Sequence, residues 1–175
     1  IAYSYKGIGN TAKSQEYLEI IIAEQPNNLR AHIDLAYLFM EMENLLRATH
    51  HFDKAVQIIV QSYKDTYGEA YAVLINPKNI ADIHYEAFVG KASLNIKKKD
   101  YKKALNDCTW AIYLREQLPD AYLLKAEALF ELKRDKEAIA ELKNAKKCGA
   151  PNIESLLTKY YKPHFATLLL HNHPG

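Results

Sequence analysis

Histidine, cysteine and a run of lysines are the residues of this sequence with the widest chemical range, and their spacing limits what they can do. His50 and His51 adjoin, and His171 and His173 alternate near the end of the chain. Neighbours on a helix point about 100 degrees apart, whereas helical zinc ligands stand at i and i+3 or i+4 with carboxylates close by. The histidines are therefore expected on the surface or in packing, with no metal. Cys108 and Cys148 form no CxxC pair, so no zinc site or disulfide framework is indicated and a reducing, cytoplasmic setting follows. The run KKKDYKK at 97–103 offers cations to phosphate, but it lacks the arginines and interleaved aromatics of a nucleic-acid surface. It reads as a solvated turn. No Ser–His–Asp constellation, glycine-rich phosphate loop or paired-carboxylate motif is present, so no catalytic residue and no cofactor is expected.

Bulk properties agree with that reading. A net charge of +2 is too mild for a nucleic-acid or membrane-surface protein. The longest apolar runs, LEIII at 18–22 and FATLLL at 165–170, are far shorter than a membrane span. A hydrophobic content of 49% over 175 residues supplies a sizeable core, and only six Gly and six Pro favour helices over a sandwich or barrel. The chain opens on Ile1 without an initiator Met, which predicts a piece of a longer protein.

The elements that would position any site come from a repeat. Residues 34 apart pair Ala104 with Ala138, Ala111 with Ala145, Ala87 with Ala121, Ala92 with Ala126, Lys91 with Lys125, Lys99 with Lys133 and Phe88 with Tyr122. Asp100 and Asp135 stand where N-caps of second helices belong, and Gly149 followed by Pro151 makes a helix stop. An earlier copy places Ala31 and Ala48 at the same separation as Ala87 and Ala104. The closest approaches between stacked helices, roughly 8 to 10 Å, tolerate only small side chains, which explains the recurring alanines. At this period and with this pattern the chain resembles the tetratricopeptide repeat family, a stack of two-helix units.

The resulting architecture is one all-α domain, a right-handed solenoid. A partial repeat covers 1–28, with Ser14 and Ile21 where other copies carry Ala, and full repeats cover 29–62, 85–118 and 119–152. An insertion at 63–84 breaks the period. There the second helix of one unit is expected to run on towards Gly68, and the next to start early, with Asn76 as cap and Pro77 in its first turn. Tyr71, Val73, Leu74 and Ile75 are expected to tuck against this helical hairpin. Residues 153–175 supply capping helices, through Leu156, Leu157, Tyr160 and Tyr161 and a further short helix at HFATLLLHNH, that cover the end of the stack.

In the tetratricopeptide family the first helices line a concave groove that holds a partner peptide or helix. Carried over by alignment, the resemblance implies a groove showing Arg30, Ile33, Tyr37, Met40 and Glu41, then Glu86, Val89, Ser93, Ile96 and Lys97, then Asp120, Leu123, Glu127 and Phe130. Part of that apolar stripe would instead be buried if the C-terminal helix or the insertion covers it. One subfamily grips the carboxylates of heat-shock chaperone tails with Lys, Asn and Arg. This chain departs from it, with Asp34 in place of Asn, Gly90 or Leu124 in place of Arg, and acids at Glu86 and Asp120. The expected function is a protein-interaction adaptor or scaffold, not an enzyme, with no nucleic acid or membrane as partner. The rival is a noncatalytic arm that positions a substrate or partner for a larger enzyme.

Overall fold

The computed structural model describes residues 11–151 and 153–160. The described residues form helices α1 (Thr11–Glu24), α2 (Leu29–Glu41), α3 (Leu45–Tyr67), α4 (Tyr71–Leu74), α5 (Asp82–Lys97), α6 (Tyr101–Leu114), α7 (Asp120–Glu131), α8 (Asp135–Lys147) and α9 (Ile153–Tyr160). A 3-10 turn at Pro77–Asn79 precedes α5. Helices α2 and α3, α5 and α6, and α7 and α8 pack as pairs, and each second helix also packs on the first helix of the next unit. This is a helical solenoid, as the period predicts. The expectations for residues 1–10 and 161–175, including Tyr161 and the second C-terminal helix, lie outside the described residues.

The paired helices turn sharply because three backbone positions adopt the left-handed conformation. Glu43, Lys99 and Lys133 have φ of 56°, 60° and 61°. After each, a backbone N–H reaches back to the last helical turn, Asn44 to Phe39 O at 2.8 Å, Asp100 to Asn95 O at 2.8 Å and Arg134 to Leu129 O at 2.9 Å. These bonds satisfy carbonyls that the helix ends would leave orphaned. The residue that follows then caps the second helix: Asn44 accepts from Arg47 N at 3.2 Å and Asp100 from Lys103 N at 3.4 Å. In the last unit the cap position is Arg134, and Asp135, expected as the cap, is the first helical residue. A left-handed residue with a Cβ costs about 1 kcal/mol that glycine would not. Lys99→Gly is accordingly expected to raise stability by about 1 kcal/mol in urea unfolding, and a loss would contradict the turn geometry.

Packing follows the alanine ladder. Ala92, Ala104, Ala126 and Ala138 are each 0% exposed, so the small residues lie between helices. One core joins Phe39, Phe52, Ile59 and Leu94 with Leu18 of α1, and a second gathers Phe130, Leu142, Ile153 and Leu157. Helix α9 thus covers the end of the stack. The repeated lysine has a structural role, since Lys125 pairs with Glu141 at 2.7 Å and Lys91 with Asp53 at 2.9 Å.

The insertion differs in detail from its sequence reading. Helix α3 does run on to Tyr67, but α5 starts at Asp82, and Asn76 caps the separate 3-10 turn by accepting from Lys78 N at 3.1 Å. Val73 and Leu74 are exposed, not tucked in, whereas Ile75 is buried. The connection is held by polar bonds that periodicity does not reveal. Tyr113 Oη donates to Ile75 O at 2.7 Å, and Arg115 donates to the carbonyls of Pro77 and Ile80 and pairs with Asp82 at 2.7 Å.

Candidate partner-binding groove

Helices α2, α5 and α7 lie side by side, each touching the next. Between them opens a recess of about 320 Å³ lined by Tyr37, Val89, Ser93, Asp120, Leu123 and Leu124. Spacings of three and four residues put Val89 and Ser93 on one face of α5, and Asp120, Leu123 and Leu124 on one face of α7. Tyr37 reaches the recess because Gly90 has no side chain. A Cβ there would sit 2.7 Å from Tyr37 Oη and 2.5 Å from the Phe52 ring. The Tyr37 ring stands edge-on to Phe52 with centroids 5.3 Å apart, and its hydroxyl donates to Glu86 O at 3.4 Å.

Five of the fourteen groove residues expected from the resemblance, Tyr37, Val89, Ser93, Asp120 and Leu123, meet in this recess. Ile33, Met40 and Phe130 are buried and present no surface to a partner. Phe130 lies under α9, stacked on Tyr160 at 4.6 Å between centroids. The apolar stripe of a first helix is a target for burial by its own neighbours, and that outcome prevails at these three positions. Arg30 pairs with Glu86 at 2.9 Å and approaches Asp34 at 3.6 Å. Glu127 is bound by Lys159 of α9 at 2.6 Å, and Ile96 is half-buried away from the recess. Leu124 is absent from the expected set. Its sequence signal is that the resemblance puts it where the chaperone-binding subfamily carries Arg.

Electrostatically the recess leans acidic. Asp120 is exposed and has no ion-pair partner among the described residues, while one guanidinium, Arg30, serves both Asp34 and Glu86. The lysines on these helices are engaged elsewhere: Lys91 with Asp53, Lys97 with Glu43 at 3.1 Å and Lys125 with Glu141. The lysine run at 97–103 is likewise tied into its turn, with Lys98 Nζ donating to Thr49 Oγ1 at 2.9 Å and Lys103 pairing with Asp100 at 2.8 Å.

The other chemistry-bearing residues are placed in packing. His32 Nε2 lies 3.0 Å from Pro26 O, which accepts only if that nitrogen carries the proton, so His32 Nδ1 accepts from His51 Nδ1–H at 3.1 Å. His51 also stacks on Phe39 with centroids 5.5 Å apart. Among the described residues no group of three or more His, Cys, Asp and Glu is placed to hold a metal ion. Cys108 is buried, and burial pushes its thiol up to about 12, where it is inert as a nucleophile. No helix among the described residues is long and apolar enough to cross a membrane.

Residues 119–147 match the family model of the tetratricopeptide repeat. The fold is similar to the crystal structure of MamA, with a TM-score of 0.72 at 15% identity over 97% of this chain and 87% of that one. A second similar structure is TTC0263, a thermophilic TPR protein in Thermus thermophilus, at 15% identity over 95% of each chain and a TM-score of 0.45. No curated protein matches the sequence significantly.

Proposed function

We propose that this chain, a tetratricopeptide-type helical array, is a protein-interaction adaptor or scaffold that holds an extended peptide or a helix of its partner in the groove of its first helices. The observation that supports this reading is the recess itself. Three successive units leave Tyr37, Val89, Ser93, Leu123 and Leu124 partly accessible in one concavity, where a monomer usually closes such apolar surface. The lining residues do not suggest catalysis, since the hydroxyls of Ser93 and Tyr37 and the Asp120 carboxylate stand there with no histidine, lysine or cysteine among them. Two unpaired thiols accord with a cytoplasmic location.

The test uses the recess floor. Peptides selected from a random display library against the full chain are measured by fluorescence anisotropy on the parent and on Ser93→Trp, which fills the recess. Ser93 is half-exposed, so thermal melting serves as the control for folding. Affinity is expected to fall at least tenfold with melting unchanged. Unaltered affinity would move the binding surface to the insertion or to the outer helices.

A further inference from the structure

We infer that the recess receives an apolar side chain of a partner peptide whose adjacent residue is Lys or Arg, with the cation held by Asp120. This inference rests on the groove being the binding surface and adds the chemistry of its occupant. Leu123, Leu124 and Val89 offer the apolar side chain a place out of water, and Ser93 offers a hydroxyl to the peptide main chain. Asp120 stands exposed at the same recess. The first turn of α7 favours its negative charge, but no side-chain cation among the described residues pairs with it, because the lysines of α5 and α7 named above reach carboxylates elsewhere and Arg30 is shared between two acids. An acidic peptide arriving here meets repulsion from Asp120, and a neutral one leaves Asp120 without a cationic partner. A basic one is steered in and paired. Two features are thus combined at one place, a pocket that sets position and a lone carboxylate that sets the sign of the neighbour.

The experiment selects random peptides in parallel on the full chain and on Asp120→Lys. Each enriched peptide is mapped by amide chemical-shift changes. Asp120 is an exposed first-turn residue, and the circular dichroism melt of each variant verifies that it is folded. The expected result is enrichment of Leu, Ile or Phe next to Lys or Arg, with shifts at Val89, Ser93, Leu123 and Leu124. These peptides should lose about tenfold in affinity for Asp120→Lys and weaken with added salt, and selection on the variant should turn to acidic neighbours. Peptides that map to the recess without a basic preference, or that bind both chains alike, overturn this inference and leave the groove reading intact. Peptides that map elsewhere, or no enrichment at all, overturn both.

Discussion

Between pH 6.5 and pH 4, the chain carrying Asp107→Asn is expected to lose about 3 kcal/mol more stability than its parent. Two buried groups titrate in opposite senses across that window. His51 is lowered from 6.5 to about 4, first by burial and then by the charges of His32, His50 and Arg47. The unfolded chain therefore takes up a proton that the folded chain refuses, and stability falls as pH drops from 6.5 towards 4. Asp107 behaves in reverse. Burial raises its carboxyl from 3.8 to about 6, against the pull of Lys91 and the 2.7 Å hydrogen bond from Asn95. Between pH 6 and 3.8 the folded chain takes up its proton first, so stability is gained as pH falls. Each shift is worth about 3 kcal/mol, so the parent masks much of the histidine penalty with the aspartate. Asparagine retains an oxygen for the Asn95 amide and removes the titration, which exposes the loss. Urea unfolding at the two pH values measures it, and equal losses in parent and variant would show that Asp107 is not ionised against its surroundings.

Gly90→Ala is expected to destabilise the chain by about 1 to 3 kcal/mol, although the same change in an exposed helix gains about 1 kcal/mol. The new Cβ would sit 2.5 Å from Cε1 and Cζ of Phe52. Phe52 is 0% exposed in the main core, so the ring has nowhere to swing, and Tyr37 presses on the other side. One step along the stack the sizes are exchanged, with Cys108 at the position equivalent to Phe52 and Leu124 at the position equivalent to Gly90. The middle unit thus packs a large residue on a vacancy, and at the equivalent positions of the last unit the sequence exchanges the two sizes. Truncating the ring in the double variant Gly90→Ala, Phe52→Leu should make the two effects non-additive, with the second change costing less than it does alone. Additive costs in thermal or urea unfolding would contradict the contact.

The contrast between Gly90 and the alanines shows which parts of the fold the sequence makes legible. Ala92, Ala104, Ala126 and Ala138 recur because every unit meets its neighbour at the same depth, so a one-dimensional period carries the information. Gly90 breaks that period for a reason located 38 positions away, in the ring of Phe52, and no local pattern announces it. The left-handed turns were hidden as well, since Glu43, Lys99 and Lys133 occupy positions where glycine would have been the signal. The groove was half legible. Val89, Ser93 and Leu123 follow from the family resemblance, but whether a stripe residue stays open depends on what lies across from it. Tyr160 settles that for Phe130. Arg115 could not be anticipated because its partners are backbone carbonyls of the insertion, which carry no sequence signature.

The central claim is that the inner face formed by α2, α5 and α7 is where a partner sits. Site-specific photo-cross-linking tests it most directly, with a benzophenone side chain placed at Leu124 in the recess or at Gln57 or Lys102 on the exposed faces of α3 and α6. Peptides selected on the unmodified chain should cross-link efficiently from position 124 and only at background from 57 and 102. Efficient cross-linking from 57 or 102 with none from 124 would place the partner on the outer face and contradict the account.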